Sequence, residues 1–545
     1  MRAFAELLDR LSLTASRNAK LMLIHDHLRA VPDPDRGWAL AALTGDLSFD
    51  AAKPAMIRAA VERRVDPLLF RWSYDYVGDL AETAALIWPA DPNRRANREP
   101  TLGEVVEALK GAGRSEVPAL IERWLDDLQP KARWALLKLM TGALRVGVSA
   151  RLAKTAAARV GENPVDVAEV EELWQGLEPP YADLFAWLEG RAERPAADAP
   201  GRFRPVMLST PLDEDKDLPR VTPDAFIAEW KWDGIRVQAV RERGATRLWS
   251  RTGDEISRAF PDLMSALTFE GAIDGELVVL RDGVVAPFAE LQRRLNRKTV
   301  DPKLVASHPA ALIAYDVLSD GDEDVRALPL VERRRRLLGL IEGHDPERFR
   351  LSPDVPFADV AELTALRRDP PVGAAAEGLM LKRRDSAYVS GRPKGPWFKW
   401  KRDPHVIDAV LMYAQRGHGK RSSFHSDFTF GVWTEEGVLT PVGKAYFGFT
   451  DEELRQLDKF VRDNTTDRFG PVRAVRAERD HGLVLEIAFE GLQRSPRHKS
   501  GVAMRFPRIS RIRWDKPPHE ADTLSGVMDL LEALEREGGR LSAGQ

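Results

Sequence analysis

The stretch Glu229-Trp230-Lys231-Trp232-Asp233-Gly234-Ile235-Arg236 stands between Phe226-Ile227-Ala228 and Val237-Gln238-Ala239-Val240. Its apolar flanks put it in an extended, strand-like context. Side chains of an extended chain alternate between faces, so Glu229, Lys231 and Asp233 point the same way. A lysine between two carboxylates is by default a solvated surface pair. Its meaning therefore depends on the other charged residues that the chain supplies.

Working outward, the chain has 545 residues, which at about 150 per domain gives roughly three or four domains. With 43% hydrophobic and 30% charged residues it has the composition of a soluble globular protein with several cores. The absence of cysteine excludes disulfides and cysteine-ligated zinc, and suits a reducing cytosol. Met1–Arg10 carries charges through its apolar positions and reads as an amphipathic helix, not a signal peptide. No apolar run approaches the ~18 residues of a membrane span, so no membrane association is expected. The net charge of −3 hides segregation: Lys and Arg crowd 392–402, 416–421 and 494–516, while acids gather at 320–324 and 451–453.

Residues 1–200 have apolar residues at helical spacing, as in Phe4, Leu7, Leu8 and Leu11. Within them, Thr141-Gly142 and Gly147 interrupt a helix, and Ser149 is placed to cap the next one at Ala150. Backbone N–H groups there, with Arg145, Arg151 and Lys154, suit DNA phosphates. Arg191–Pro205 lacks periodicity and reads as a linker. Residues 206–402 alternate short strands with helices, an α+β pattern. It includes a hairpin about Gly244, a polar turn carrying Arg251, strands carrying Asp274, Glu276 and Tyr315-Asp316, and a carboxylate, Glu377, at a strand start. Arg333–Leu338 reads as a solvated basic face. In Trp397-Phe398-Lys399-Trp400-Lys401-Arg402, Lys399 and Lys401 share one face while Phe398 and Trp400 pack behind. Residues 403–530 hold several strands and a helix at Asp451–Val461, which suits a small oligonucleotide-binding (OB-fold) β-barrel. Its basic loops include Lys420 and Arg421; residues 523–538 read as a final helix with a frayed end after it, and 531–545 are placed outside the domain as a tail.

These segments, taken together and in order, resemble the ATP-dependent DNA ligases. The likeness is carried by residues 229–236, 272–279, 315–316, 377–382, 397–402 and 505–516, and more weakly by 139–149. It implies a multidomain α+β protein: a helical DNA-binding domain over 1–200, an adenylation (nucleotidyltransferase) domain over 206–402 and an OB-fold domain over 403–530. It also implies that Lys231 attacks the α-phosphate of ATP and carries AMP before passing it to a nicked strand. An amine suits this because it forms a P–N bond and leaves once protonated. Attack needs the neutral amine, which Lys399, Lys401 and a metal ion would favour at Lys231. By the same resemblance, Glu276 and Glu377 hold Mg²⁺ (or Mn²⁺) and the ribose, and Lys399 and Lys401 contact the α-phosphate. Glu229 reads adenine, Tyr315 stacks on it where many relatives carry Phe, and Arg236 and Arg251 hold the ribose and the nick 5′-phosphate. Arg392 matches the family loosely. Arg505, Arg511 and Lys516, with Asp515 assisting, orient the departing pyrophosphate. The implied partner is nicked duplex DNA, encircled by a monomer in the cytoplasm at the bacterial nucleoid, with repair helicases or nucleases as companions.

Two alternatives stay open on the residues. One is an RNA ligase or capping-type nucleotidyltransferase with the same lysine chemistry. The other is a DNA-binding scaffold whose site has decayed, against which stands the presence of every charged motif residue. An NAD-dependent ligase is disfavoured, because that family's cysteine zinc module has no residues here.

Overall fold

Gly234 lies where the chain passes from one β-sheet to another. A methyl group there would overlap the Leu277 carbonyl oxygen and come within 3.0 Å of Glu276 Cγ, so the crossing is open only to glycine. The computed structural model describes residues 1–49, 51–89, 98–142, 144–196, 200–295, 297, 299–371, 375–417 and 424–540. By internal contacts the chain divides into two units. One comprises Met1–Ala196, Val406–Phe489 and Ser495–Leu524, the other Ala197–His405, Glu490–Arg494 and Ser525–Gln545.

In the second unit, the four-stranded sheet has the order Thr210–Pro211, Trp397–Lys401, Ala376–Arg383, Phe226–Trp232. Its register puts Met380 opposite both Glu229 and Lys399, and Lys382 opposite Ile227 and Trp397. One face therefore carries Glu229, Lys231, Met380, Lys382, Trp397, Lys399 and Lys401. The other carries Ala228, Trp230, Leu379, Leu381, Phe398 and Trp400, which form an apolar cluster. The adjoining sheet runs Ala245–Ser250, Ile235–Glu242, Gly271–Arg281, Ala310–Asp320, Glu323–Asp324. Its hairpin turns about Arg243 and Gly244 as expected, both at positive φ (48° and 80°), as a tight two-residue turn requires.

Two readings of this unit need correction. Arg333–Leu338 is not simply a solvated face. Arg333 is fully buried against Asp316, at 2.7 and 2.9 Å, and Arg334 is buried against Glu229, while the exposed Arg335 pairs with its half-buried neighbour Glu332. A buried carboxylate on the Ala310–Asp320 strand demands a cation, and the helix Leu330–Ile341 supplies it. The supposed linker also packs at its end: Trp249 Nε1 donates to the Gly201 carbonyl at 2.8 Å, and the Arg204 side chain pairs with Glu242.

In the first unit, residues 1–196 are helical, with twelve α-helices among the described residues from Arg2–Leu13 to Ala182–Leu188. Leu8, Trp38, Leu136 and Phe185 are among their shared buried core. Helix Pro130–Thr141 ends at Gly142 (φ 66°), and Ser149 caps Ala150–Ala157 by accepting from Leu152 N at 3.2 Å. The C-terminal part is a seven-stranded sheet in which His405–Arg416 pairs with His425–Trp433, Val472–Val475 and Val484–Phe489. Helix Asp451–Asp463 begins in a capping box of Thr450 and Glu453. The strand Thr465–Phe469 is not legible in the sequence because its exposed polar residues hide the alternation, and Val472–Val475 is too short to show any. Helix Leu524–Arg540 matches the final helix expected over 523–538, and takes in the first part of the stretch placed outside the last domain.

Candidate active site

Lys231 stands three residues before the sheet crossing at Gly234, on the polar face of the four-stranded sheet. Its Nζ lies 2.5 Å from Glu377 Oε2, with the side chain 23% exposed, so the amine is both held and reachable. Glu377 is aimed by a β-bulge. Ala376 pairs with Trp232 and Leu379 with Trp230, so three steps on one strand match two on the other. Gly378 permits this with φ 140°, where a methyl would strike the Trp400 carbonyl oxygen and lie 2.7 Å from Lys401 Cα. The Glu377 carbonyl accepts from Arg402 N at 2.8 Å, which fixes the bulge from the other side.

Cations crowd the same face. Lys401 Nζ lies 2.6 Å from Glu490 and 3.8 Å from Glu377. The Lys399 amine is held below the ordinary lysine value by burial, and further by Arg392, Lys401, Lys231 and Arg251. The loosely matched Arg392 and the turn residue Arg251 are thus within electrostatic reach of the lysine pair. From the adjoining sheet comes Glu276. Burial pushes its carboxyl up to about 8 against the pull of Lys231 and Arg236, with Glu377 and Asp274 adding to the rise. A carboxyl raised in this way, beside a second carboxylate, fits a site that a divalent cation would complete.

Deeper along the sheet face, the charges are spent on one another. Arg236 grips Asp274 with two nitrogens (3.0 and 2.5 Å) and donates to the Met207 carbonyl and Tyr388 Oη. Burial is the largest single effect and opposes its charge, but Asp274, Tyr315 and Tyr388 together outweigh it and raise its guanidinium further. Tyr315 donates to Asp274 at 3.2 Å. It is the unmatched residue of a second bulge, since Asp274 pairs with Asp316 and Gly275 with Ala314. Glu229 is almost wholly buried, accepting from Arg334 through Oε1 and from Lys382 Nζ through Oε2 at 2.8 Å. Burial lowers the Lys382 amine's pKa, and Glu229 opposes that effect. Sequence reasoning missed Lys382, Arg334 and Tyr388. The available signal was charge count: two acids within apolar strands of different sheets, Glu229 and Asp316, in need of buried partners.

The remaining expected residues belong to the first unit. Arg505 ends the strand Val502–Arg505, Arg511 is exposed on Arg508–Arg513, and Lys516 pairs with Asp408 at 2.8 Å. Arg145 is exposed, with φ 49°, and the buried Lys20 fastens its loop by donating to the Val146 carbonyl at 2.5 Å and the Gly147 carbonyl at 3.1 Å. Its expected companions are engaged elsewhere: Arg151 pairs with Glu171, and Lys154 packs over the Trp174 ring at 4.1 Å, where burial brings its amine down to about 8. Lys420 and Arg421 lie outside the described residues. Among those residues no cluster of three or more metal-ligating side chains occurs, and no helix is long and apolar enough to cross a membrane.

A lysine flanked by a carboxylate and further cations, near the crossing between two sheets, is an arrangement suited to nucleotidyl transfer. Comparison with known proteins narrows the class. Residues 206–401 match the family model of the ATP dependent DNA ligase domain, and residues 421–516 that of the ATP dependent DNA ligase C terminal region. The chain is 31% identical to a probable DNA ligase of Koribacter versatilis (strain Ellin345), covering 98% of this chain and 97% of the relative. It is also 31% identical to DNA ligase 1 of Korarchaeum cryptofilum (strain OPF8), over 98% of each. The solved structure Pmar-Lig_PreS3 shares the fold at a TM-score of 0.58 and 14% identity, over 94% of this chain and 99% of its own. The chain belongs to the ATP-dependent DNA ligase family.

Proposed function

We propose that this ligase seals nicks in duplex DNA by carrying AMP on Lys231. Lys231 Nζ attacks the α-phosphorus of ATP, a P–N bond forms, and pyrophosphate leaves with the electrons of the broken P–O bond. The nick 5′-phosphate then displaces the lysine, which takes up a proton, and the 3′-hydroxyl finally displaces AMP. Lys399 and Lys401 neutralise the α-phosphate, where charge builds in each step. Glu276 and Glu377 would hold Mg²⁺ or Mn²⁺, which supplies further neutralisation of the phosphates. Glu229 and Tyr315 meet the adenine by edge and face, Arg236 the ribose, Arg251 the 5′-phosphate, and Arg392 the bound ATP. Arg505, Arg511 and Lys516 serve the first step, from a C-terminal domain of OB-fold type that moves between steps. Arg145, with Lys420 and Arg421, grips the DNA backbone. The domains are then 1–200, 206–402 and 403–530, and the enzyme works in repair as a monomer around its substrate.

The observation that carries this reading is the 2.5 Å contact of Lys231 with Glu377 on a sheet face shared with Lys399 and Lys401. The test uses ATP labelled at the α-phosphate. Wild-type protein should acquire label that nicked DNA removes, and Lys231→Ala should acquire none while still binding DNA. Labelling of the mutant would remove Lys231 as the carrier.

A further inference from the structure

We propose that Lys382 and Arg334 are positioning residues that set the base selectivity of the Lys231 site through Glu229. The proposal rests on the reading of Glu229 as the residue that meets the purine edge. Glu229 and Lys382 are each 1% exposed, and charges so deeply removed from water are costly unless their partners are well placed. One cation would suffice to balance one carboxylate, yet Glu229 has two, one on each oxygen. Arg334 is itself held from behind by the Ser352 carbonyl at 2.8 Å and Asp354 at 2.6 Å, so it cannot swing away with Glu229. Lys382 has a second attachment. Its Nζ lies 4.2 Å from the centre of the Tyr315 ring and 4.7 Å from that of Trp397. A single ammonium thus joins the group that would read the base edge to the ring that would stack on its face.

The chemistry of selection follows. A carboxylate has about four acceptor sites, and two cations leave acceptors only, with no donor. Such a group accepts from the 6-amino group of adenine and repels a 6-oxo purine. A Glu229 free to turn would lose that bias. Neither Lys382 nor Arg334 needs to touch the nucleotide for this.

The experiment measures formation of the covalent protein–nucleotide adduct with ATP and with ITP, which differs from ATP in carrying a 6-oxo group. The ratio of kcat/KM for the two nucleotides is the readout, because a merely structural loss lowers both alike. Lys382→Met should reduce the ATP-to-ITP ratio about tenfold or more, chiefly through KM for ATP, as loss of a hydrogen bond to a charged group implies. Lys382→Arg, which restores a cation, should recover most of it. The milder Arg334→Lys is read in the same way should Lys382→Met not fold. An unchanged ratio in both Lys382→Met and Arg334→Lys, or in whichever of them folds, overturns the proposal. Glu229→Gln separates the two levels: if it too leaves the ratio unchanged, the assignment of Glu229 to the base fails, and the roles of its partners fail with it.

Discussion

Glu276 is the residue whose protonation has the widest consequences. Its carboxyl is raised from 4.5 to about 8, with burial as the main cause. A group raised on folding lends stability that is fully present below its unfolded value and lost as pH rises through its folded one. The metal-free protein should therefore lose thermal stability between about pH 5 and pH 8, and Glu276→Gln should flatten that slope, as melting curves across the range would reveal. A divalent cation at this carboxyl must displace the proton, so its apparent affinity should climb about tenfold per pH unit below about pH 8. Calorimetry in buffers of different ionisation heat would count the released proton. The sequence carried only part of this. It placed Glu276, Glu377 and Lys231 near one another through their resemblance to the family, but burial of Glu276 depends on how closely the Gly234 crossing passes, and spacing along the chain does not contain that.

At the scale of elements, two bulges and one helix do the positioning. Gly378 keeps Glu377 turned towards Lys231. Gly378→Ala should cost about 1–3 kcal/mol of stability and reduce adduct formation by more than that destabilisation explains, as parallel melting and labelling would tell. Helix Leu330–Ile341 is docked by a fully buried pair, Arg333 with Asp316. Arg333→Met should cost about 3–5 kcal/mol, because it leaves a carboxylate buried alone, while Arg335→Ala on the next residue should stay within about 0.5 kcal/mol. Urea titration of both variants checks the contrast. Alternation made the lysine-bearing strands legible from Trp397-Phe398-Lys399-Trp400-Lys401 alone. The four consecutive arginines of the helix were not legible, because their fates differ only through what the helix happens to face. Bulges were likewise hidden, since one unmatched residue leaves no trace in composition.

At the scale of the whole molecule, the residues proposed for the first step are divided between the two units of the chain. If Arg505 and Arg511 serve only the first step, the double alanine variant should lose adduct formation by about 10²-fold or more yet still seal a nick supplied already adenylylated. Equal loss in both assays would assign those arginines to DNA contact instead. Although the net charge is −3, the basic stretches should make affinity for nicked DNA fall steeply with salt, and binding isotherms at several salt concentrations would yield the number of phosphates engaged.

The two-faced sheet that bears Lys231 has one more consequence, for how such a chain can vary over evolutionary time. Each chemical side chain sits next to an anchor in the apolar layer: Lys231 beside Trp230, Lys399 between Phe398 and Trp400. Point changes in the anchors are open to compensation from across the layer. An insertion or deletion of one residue is not, because beyond it lysines such as Lys399 would turn into the grease and apolar anchors such as Trp400 onto the polar face. Lineages descended from this chain are free to drift in spelling within these strands, but not in length.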